Sequence, residues 1–199
     1  MTESDLRAIH IRSQIRAVMA RYVQGVDHRD AALLKSCYHE DAYELHHIFN
    51  GPAHGFAEWR ARQTFRSHHM LSESAVRIEG AVAYAETPHT ALVHVDLDEG
   101  GLSGVIEVAT HGWYLDLFSE RGGEWKIDFQ RVVTFHSAMR LIGSQASLSQ
   151  GQAQGSVGGA PGDPFALQFA LGDERPEPSH VQDTAASIRA AFLAQADGG

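Results

Sequence analysis

Apolar positions set out the plan of the chain. Between residues 3 and 28, Ile11, Ile15, Val18, Met19, Tyr22, Val23 and Val26 recur at three- and four-residue spacing, which predicts one long amphipathic helix. Asp30 is placed to cap a short second helix over 30–38 that turns Leu33, Leu34 and Cys37 inward. Residues 42–49 read as a strand and Asn50-Gly51-Pro52 as a turn. Gly55 precedes a third helix near 56–66 that carries Phe56, Trp59 and Phe65. From His68 onward the period changes to two. Strands are predicted over Met70–Ile78, Ala81–Leu97, Leu102–Phe118 and Trp125–Ala138, with turns at Glu79-Gly80, Asp98–Gly101 and Arg121–Gly123. Pro88 marks a bulge or an edge in the second of them.

Helices first and successive antiparallel strands afterwards predict an α+β fold, with helices packed on one face of a curved sheet. A Gly/Ser/Gln/Ala run over 144–164 reads as a flexible linker. It divides the chain into a domain over 1–143 and a tail over 144–199. Within the tail, Phe165–Leu171 is an extended apolar segment and Asp183 caps a short helix reaching Gln195.

Composition narrows the function. The 199 residues suffice for one domain with its own core, and the 43% hydrophobic and 21% charged content is that of a soluble globular protein. The formal net charge of −9, with no Lys/Arg cluster, argues against nucleic acid as a partner. A single cysteine, Cys37, excludes an intramolecular disulfide. The N-terminus has no signal-like apolar core, and no run approaches the roughly 18 apolar residues of a membrane span. A cytoplasmic protein without membrane contact is the expectation. No cofactor is expected either: the Gly-rich 151–162 stretch lacks the strand–helix setting and Lys-Ser/Thr ending of a phosphate loop, and there is no Gly-x-Ser-x-Gly elbow.

Candidate chemistry centres on two short words, Gly25-Val26-Asp27-His28-Arg29-Asp30 and Ser67-His68-His69-Met70-Leu71-Ser72. Asp27 lies four residues after Val23 and eight after Met19, on the edge of the apolar helix face, where a carboxylate is costly unless paired. Strand alternation lets only one of His68 and His69 point inward. If the two words meet, a carboxylate and an imidazole face each other in an apolar pocket, an arrangement suited to proton transfer.

A set of words in fixed order carries a family likeness. They are Arg21-Tyr22, Gly25-Val26-Asp27, Arg29-Asp30, Tyr38-His39-Glu40-Asp41-Ala42, Gly51, Gly55, His69, Gly80-Ala81, Gly112 to Asp116, and Arg121 to Ile127. Over about residues 5–138 the chain resembles the SnoaL-like branch of the nuclear transport factor 2-like superfamily, which includes scytalone dehydratase and hexachlorocyclohexane dehydrochlorinase. The resemblance implies a cone-shaped fold whose curved, mixed or antiparallel sheet and N-terminal helices enclose a deep apolar pocket. It implies Asp27 and His69 as a catalytic pair, with His69 favoured over His68, although Glu73 stands where the family usually has Asn. It also implies a pocket-lining Arg near the end of the last strand. Here that place is Gln130 with Arg131 following, and parity decides which of the two faces the pocket.

Further candidates follow from strand faces and from the resemblance. Tyr43 and Arg131 are candidate catalytic donors, and Tyr22, His47, His94, Trp113 and Tyr114 are candidate substrate-binding residues. Tyr43, Leu45 and His47 share one strand face, and Glu44, His46 and Ile48 the other. His94-Val95-Asp96 has the spacing of an iron site's His-x-Asp, a weak signal that no Cys pair or His-x-x-x-His word supports. No metal is expected. The leading reading is a cofactor-independent lyase. His69 abstracts a proton, Asp27 supports it, and water, halide or formaldehyde leaves an apolar, aromatic small molecule such as a lignin-derived aryl-propane. An isomerase or cyclase of ketosteroid-isomerase type, and a non-catalytic binding or assembly module, are the alternatives. The resemblance also implies a homodimer or homotrimer.

Overall fold

The computed structural model describes residues 1–99, 101–142, 179–180 and 183–196. Helix α1 (Glu3–His28) begins with a reciprocal cap. The Thr2 hydroxyl accepts the Asp5 N–H at 3.2 Å, and the Asp5 carboxylate accepts the Thr2 N–H at 2.7 Å. Its buried face is Ile11, Ile15, Val18, Met19, Tyr22 and Val26, the face that the periodicity marks. Arg29 ends the helix in the left-handed region, at φ 58°, so Asp27 falls in the last turn. Helix α2 (Ala31–Cys37) starts from Asp30, whose carboxylate accepts the Leu33 N–H at 2.9 Å. The two helices pack closely at Gly25, where a Cβ would lie 2.8 Å from Leu34 Cγ.

The remaining elements are β1 (Tyr38–His46), β2 (Phe49–Pro52), α3 (Ala53–Arg62), β3 (Arg66–Leu71), β4 (Ala75–Glu79), β5 (Val82–Glu99), β6 (Leu102–Arg121), β7 (Glu124–Ile142), β8 (Ser179–His180) and α4 (Thr184–Ala196). They form a curved, unclosed sheet in the order β3-β5-β6-β7-β1-β2-β8, with β4 also pairing β5. All pairings are antiparallel except β1 with β7, so the sheet is mixed. The α+β architecture is the one the sequence predicts. No helix among the described residues is long and apolar enough to cross a membrane. The linker at 144–164 and the segment Phe165–Leu171 lie outside the described residues. Helix α4 is capped by Asp183, whose carboxylate accepts the Ala186 N–H at 2.9 Å.

Local differences from the predicted elements have physical causes. The 42–49 strand begins earlier, and the chain turns at His47-Ile48. Asn50–Pro52 is not a turn but part of β2, and Pro52 is tolerated at the strand end. The predicted single strand Met70–Ile78 is two strands, broken at Ser72–Ser74. Both pair with β5, β3 opposite His89–His94 and β4 opposite Val82–Glu86. Pro88 lies opposite the break. Its carbonyl accepts the Ser72 N–H at 2.9 Å, so its missing N–H also faces the side where no strand needs a donor. Helix α3 begins at Ala53 and contains Gly55 rather than following it.

Below the pocket the core holds a buried polar row across β1, β7 and β6. Glu44 pairs in register with Gln130, and Gln130 with Asp116; all three are fully buried. The Tyr38 hydroxyl donates to Glu44 at 2.7 Å, and the Gln130 amide donates to Asp116 at 2.8 Å. Burial pushes the Asp116 carboxyl up to about 8, against the opposing effect of the Gln130 hydrogen bond. Burial likewise pushes Glu44 well above the usual carboxylate range.

Gly112 on β6 lies beside a register shift in the β6–β7 pairing, and a Cβ there would fall 1.9 Å from the Val133 carbonyl oxygen. Gly112→Ala should therefore lower stability by about 3 kcal/mol in urea unfolding. Gly55→Ala, whose Cβ meets nothing nearer than Phe49 at 3.5 Å, should hold or gain up to about 1 kcal/mol by helix propensity. The raised Asp116 gives a pH signature with a definite sign. Between about pH 4 and pH 8 the folded chain keeps a proton that the unfolded chain releases, so stability is lost as pH rises. Urea midpoints at pH 5 and pH 8 should fall more steeply for wild type than for Asp116→Asn. Equal slopes would mean that Asp116 is ionised in the fold.

Candidate active site

The last turn of α1 and the start of β3 bring the two sequence words together. Asp27 Oδ1 lies 2.6 Å from His69 Nδ1. The other oxygen, Oδ2, accepts the backbone N–H of His69 at 2.9 Å, and the Ser67 hydroxyl donates to Oδ1 at 2.9 Å. Burial and the negative end of the helix dipole both oppose a charge at Asp27. The three donors outweigh them, joined by the imidazolium charge whenever His69 is protonated, and the carboxyl stays below its usual range. It is ionised at neutral pH, so the Nδ1 contact requires a proton on that nitrogen, leaving Nε2 as the basic position. Of the two adjacent histidines, the His69 side chain is 11% exposed and the His68 side chain 70%, so alternation turns His69 inward.

His69 lines a cavity of about 570 Å³ between the concave face of the sheet, α1, α3 and α4. This is room for a one- or two-ring small molecule. The apolar walls come from Val26, Phe56, Phe65, Ala91, Val93, Val108, Val132 and Met139. Helix α4 contributes Thr184, Ser187, Ile188 and Ala191. Three more histidines reach the same space: His46, His47 and His89. Burial, followed by the charge of neighbouring histidines, pulls His89 down to about 3 and His46 well below the usual range; burial alone lowers His47. All three are neutral imidazoles at neutral pH, whereas His69 alone is backed by a carboxylate. His89 stacks on Tyr114 with ring centroids 4.2 Å apart, and its ring lies 6.5 Å from that of His69. Tyr22 meets Tyr114 edge-on at 5.4 Å. Burial, then Glu44, pushes both phenols well above their usual range, so they remain donors.

The structure therefore brings together Asp27, His69, Tyr22, His47 and Tyr114. Tyr43, Arg131, His94 and Trp113 do not line this cavity. Tyr43 stacks against Phe129 and donates to Asn50 at 2.7 Å, on the opposite face of β1 from Glu44. A register shift in β7 next to Phe129 sets the local parity so that Gln130 points inward and Arg131 does not. His94 is on the other face of β5 from Val93, bound to Glu107 at 3.0 Å, while Asp96 pairs with Arg66 at 2.8 Å. Trp113 packs edge-on against half-exposed Phe135. Glu73, at the family's Asn position, is exposed and paired with Arg16. His46, His89 and Arg60 are not marked as site residues by any motif, and Ser67 enters only as the first residue of the second word, with no role assigned. For His89 the signal is present: it shares the parity of the buried Ala83, Ala85 and Ala91 on β5. Arg60 gave none, since it reads as one more charge on a short helix.

Solved structures of the same shape accompany this geometry. A type 2 hexachlorocyclohexane dehydrochlorinase aligns at 18% identity with a TM-score of 0.57, covering 72% of this chain and 95% of that one. A putative scytalone dehydratase from Novosphingobium aromaticivorans aligns at 14% identity and TM-score 0.56, covering 73% and 97%. A nuclear transport factor 2-like protein from Salmonella enterica aligns at 18% and 0.54, covering 64% and 92%. No curated protein sequence matches the chain. At these identities the likeness establishes the fold. The sequence itself matches the SnoaL-like domain over residues 7–131, well over half its length, and the chain belongs to that family.

Proposed function

We propose that the protein is a small-molecule lyase in which His69 is the general base. The observation that carries this reading is the buried Asp27–His69 pair at the wall of an apolar cavity, the only imidazole there with a carboxylate partner among the described residues. His69 Nε2 takes a proton from carbon, or from a hydroxyl in the retro-aldol case. In the elimination the C–H electron pair becomes the new C=C bond, and water or halide departs with the C–X pair. In the retro-aldol case the O–H pair becomes the C=O of the released formaldehyde, and the C–C pair stays on the remaining carbon, which takes the proton back from the His69 imidazolium. Asp27 holds the ring by its Nδ1–H and stabilises the imidazolium, as the carboxylate of a catalytic triad does. Tyr22, Tyr114 and the neutral His89 are the donors for charge developing on the substrate or the departing group. The apolar walls suit an aromatic substrate that loses water, halide or formaldehyde, and a lignin-derived aryl-propane is of the right size. The chemistry requires no cofactor.

One feature favours a second reading. Two protonated phenols beside a single base also suit an isomerase, in which Tyr22 or Tyr114 binds an enolate oxygen while His69 returns the proton to another carbon. Product mass separates the two, since only elimination loses a fragment.

The test uses a panel of aryl-substituted alcohols, propane-diols and halides, followed by ultraviolet absorbance of a new conjugated double bond and by product mass. His69→Ala should lower kcat/KM by roughly 10²–10⁴-fold with the fold intact by circular dichroism. Asp27→Asn, which keeps the shape but removes the charge, should lower kcat by about 10²-fold or more. Turnover that is unchanged in both variants would remove His69 as the base.

A further inference from the structure

Arg60 on α3 is 1% exposed and makes no ion pair among the described residues. Its guanidinium lies over the Phe65 ring at 4.3 Å, and Nη2 donates to the Ser67 hydroxyl at 3.0 Å and to the Phe65 carbonyl at 3.4 Å. Nε and Nη1 are buried without a partner. A buried cation of this kind is costly unless an anion balances it. The anion at hand is Asp27, one hydroxyl away.

The directions of these hydrogen bonds are forced. Arginine only donates, so Ser67 Oγ must accept from Arg60. Its single proton then has one destination, Asp27 Oδ1, at 2.9 Å. Asp27 in turn has His69 Nδ1 at 2.6 Å. The result is one continuous chain from Arg60 through Ser67 and Asp27 to His69, with a fixed positive charge at the end remote from the base.

We infer that Arg60 and Ser67 are positioning residues that tune the strength of the His69 base. Ser67 draws electron density from Asp27, and the Arg60 charge competes with the imidazolium for it. Both keep His69 a weaker base than an isolated Asp–His pair would make it, so that it gives up its proton at the end of each turnover. The burial of Arg60 supports this coupling. Burial, then Arg29, pulls its guanidinium down to about 10, and Asp27 acts in the opposite direction. The other titratable groups around the chain are Tyr22 and Arg29 from α1, His68 from β3, His89 from β5 and His46 from β1. Of these, Arg29 donates to the Gln63 carbonyl, and His68 brings Nδ1 to 3.9 Å from Asp27 Oδ2 but is 70% exposed, so water screens it where the buried Arg60 is not screened.

The inference rests on the proton-transfer reading of the Asp27–His69 pair, but its test needs no substrate. The pKa of His69 is read by NMR titration of the ligand-free protein in wild type, Arg60→Met, Arg60→Lys and Ser67→Ala. Arg60→Met should raise it by about one pH unit, and Ser67→Ala should raise it in the same direction. Arg60→Lys, which keeps the charge, should stay close to wild type. A purely structural Arg60 would give no such charge-dependent rescue. Equal His69 values in wild type and Ser67→Ala, or in Arg60→Lys and a folded Arg60→Met, would overturn the inference. If Arg60→Met does not fold, the decision falls to Ser67→Ala. Turnover failing on every substrate, with the pKa pattern as stated, would sink the lyase reading and leave the coupling standing.

Discussion

The structure depends on one carboxylate being charged where a charge is least welcome. Asp27 is in the last turn of α1, near the negative end of the helix dipole and largely withdrawn from water. It is kept ionised by donors that all come from the first four residues of β3: the Ser67 hydroxyl, the His69 backbone and the His69 ring. The same contacts that meet its electrostatic cost tie the long helix to the edge of the sheet. They also fix which face of β3 turns inward. Stability and site geometry are thus one set of hydrogen bonds.

Around that tie, the sheet sorts its titratable groups by environment. Carboxylates deep in the core, Glu44 and Asp116, are pushed upward towards the neutral acid, and imidazoles without a counter-charge, His46 and His89, are pushed downward towards the neutral base. Asp27 keeps its charge because His69 and Ser67 supply the donors that Glu44 and Asp116 lack, and Arg60 keeps its own with Asp27 one hydroxyl away. A cavity lined by one charge-supported base and several neutral donors is what a proton-transfer reaction on an apolar molecule needs, because the donors do not compete for the proton.

Much of this was legible in the sequence, for identifiable reasons. Helix α1 shows itself because seven apolar residues from Ile11 to Val26 keep one face over about four turns. Asp30 and Asp183 show themselves as caps because an Asp before an apolar run has a specific bond to make. Asp27 stands out as a carboxylate on the edge of an apolar face. What could not be read was parity where the ladder slips. The register shifts in β7 decide Gln130 over Arg131, and no residue type announces them. The break between β3 and β4 is where the inward parity changes, from Ser67, His69 and Leu71 to Val76 and Ile78, and the polar Ser72–Ser74 carry no apolar residue that would mark the change. Tyr43, His94 and Trp113 were plausible donors by type, but type does not fix the face, and each makes its contacts away from the cavity. Arg60 escaped notice because a buried arginine and a solvated one look alike in a helix of ten residues.

The central claim is that Asp27 is ionised and holds His69 with Nδ1 protonated and Nε2 bare. The ¹⁵N spectrum of His69 in the wild-type protein, taken on the alkaline side of its titration where the ring is neutral, tests it most directly, because it reports the proton on each ring nitrogen separately. The account predicts a protonated, hydrogen-bonded Nδ1 and an unprotonated Nε2. A proton on Nε2 with Nδ1 bare would place the proton of the pair on Asp27 and contradict it.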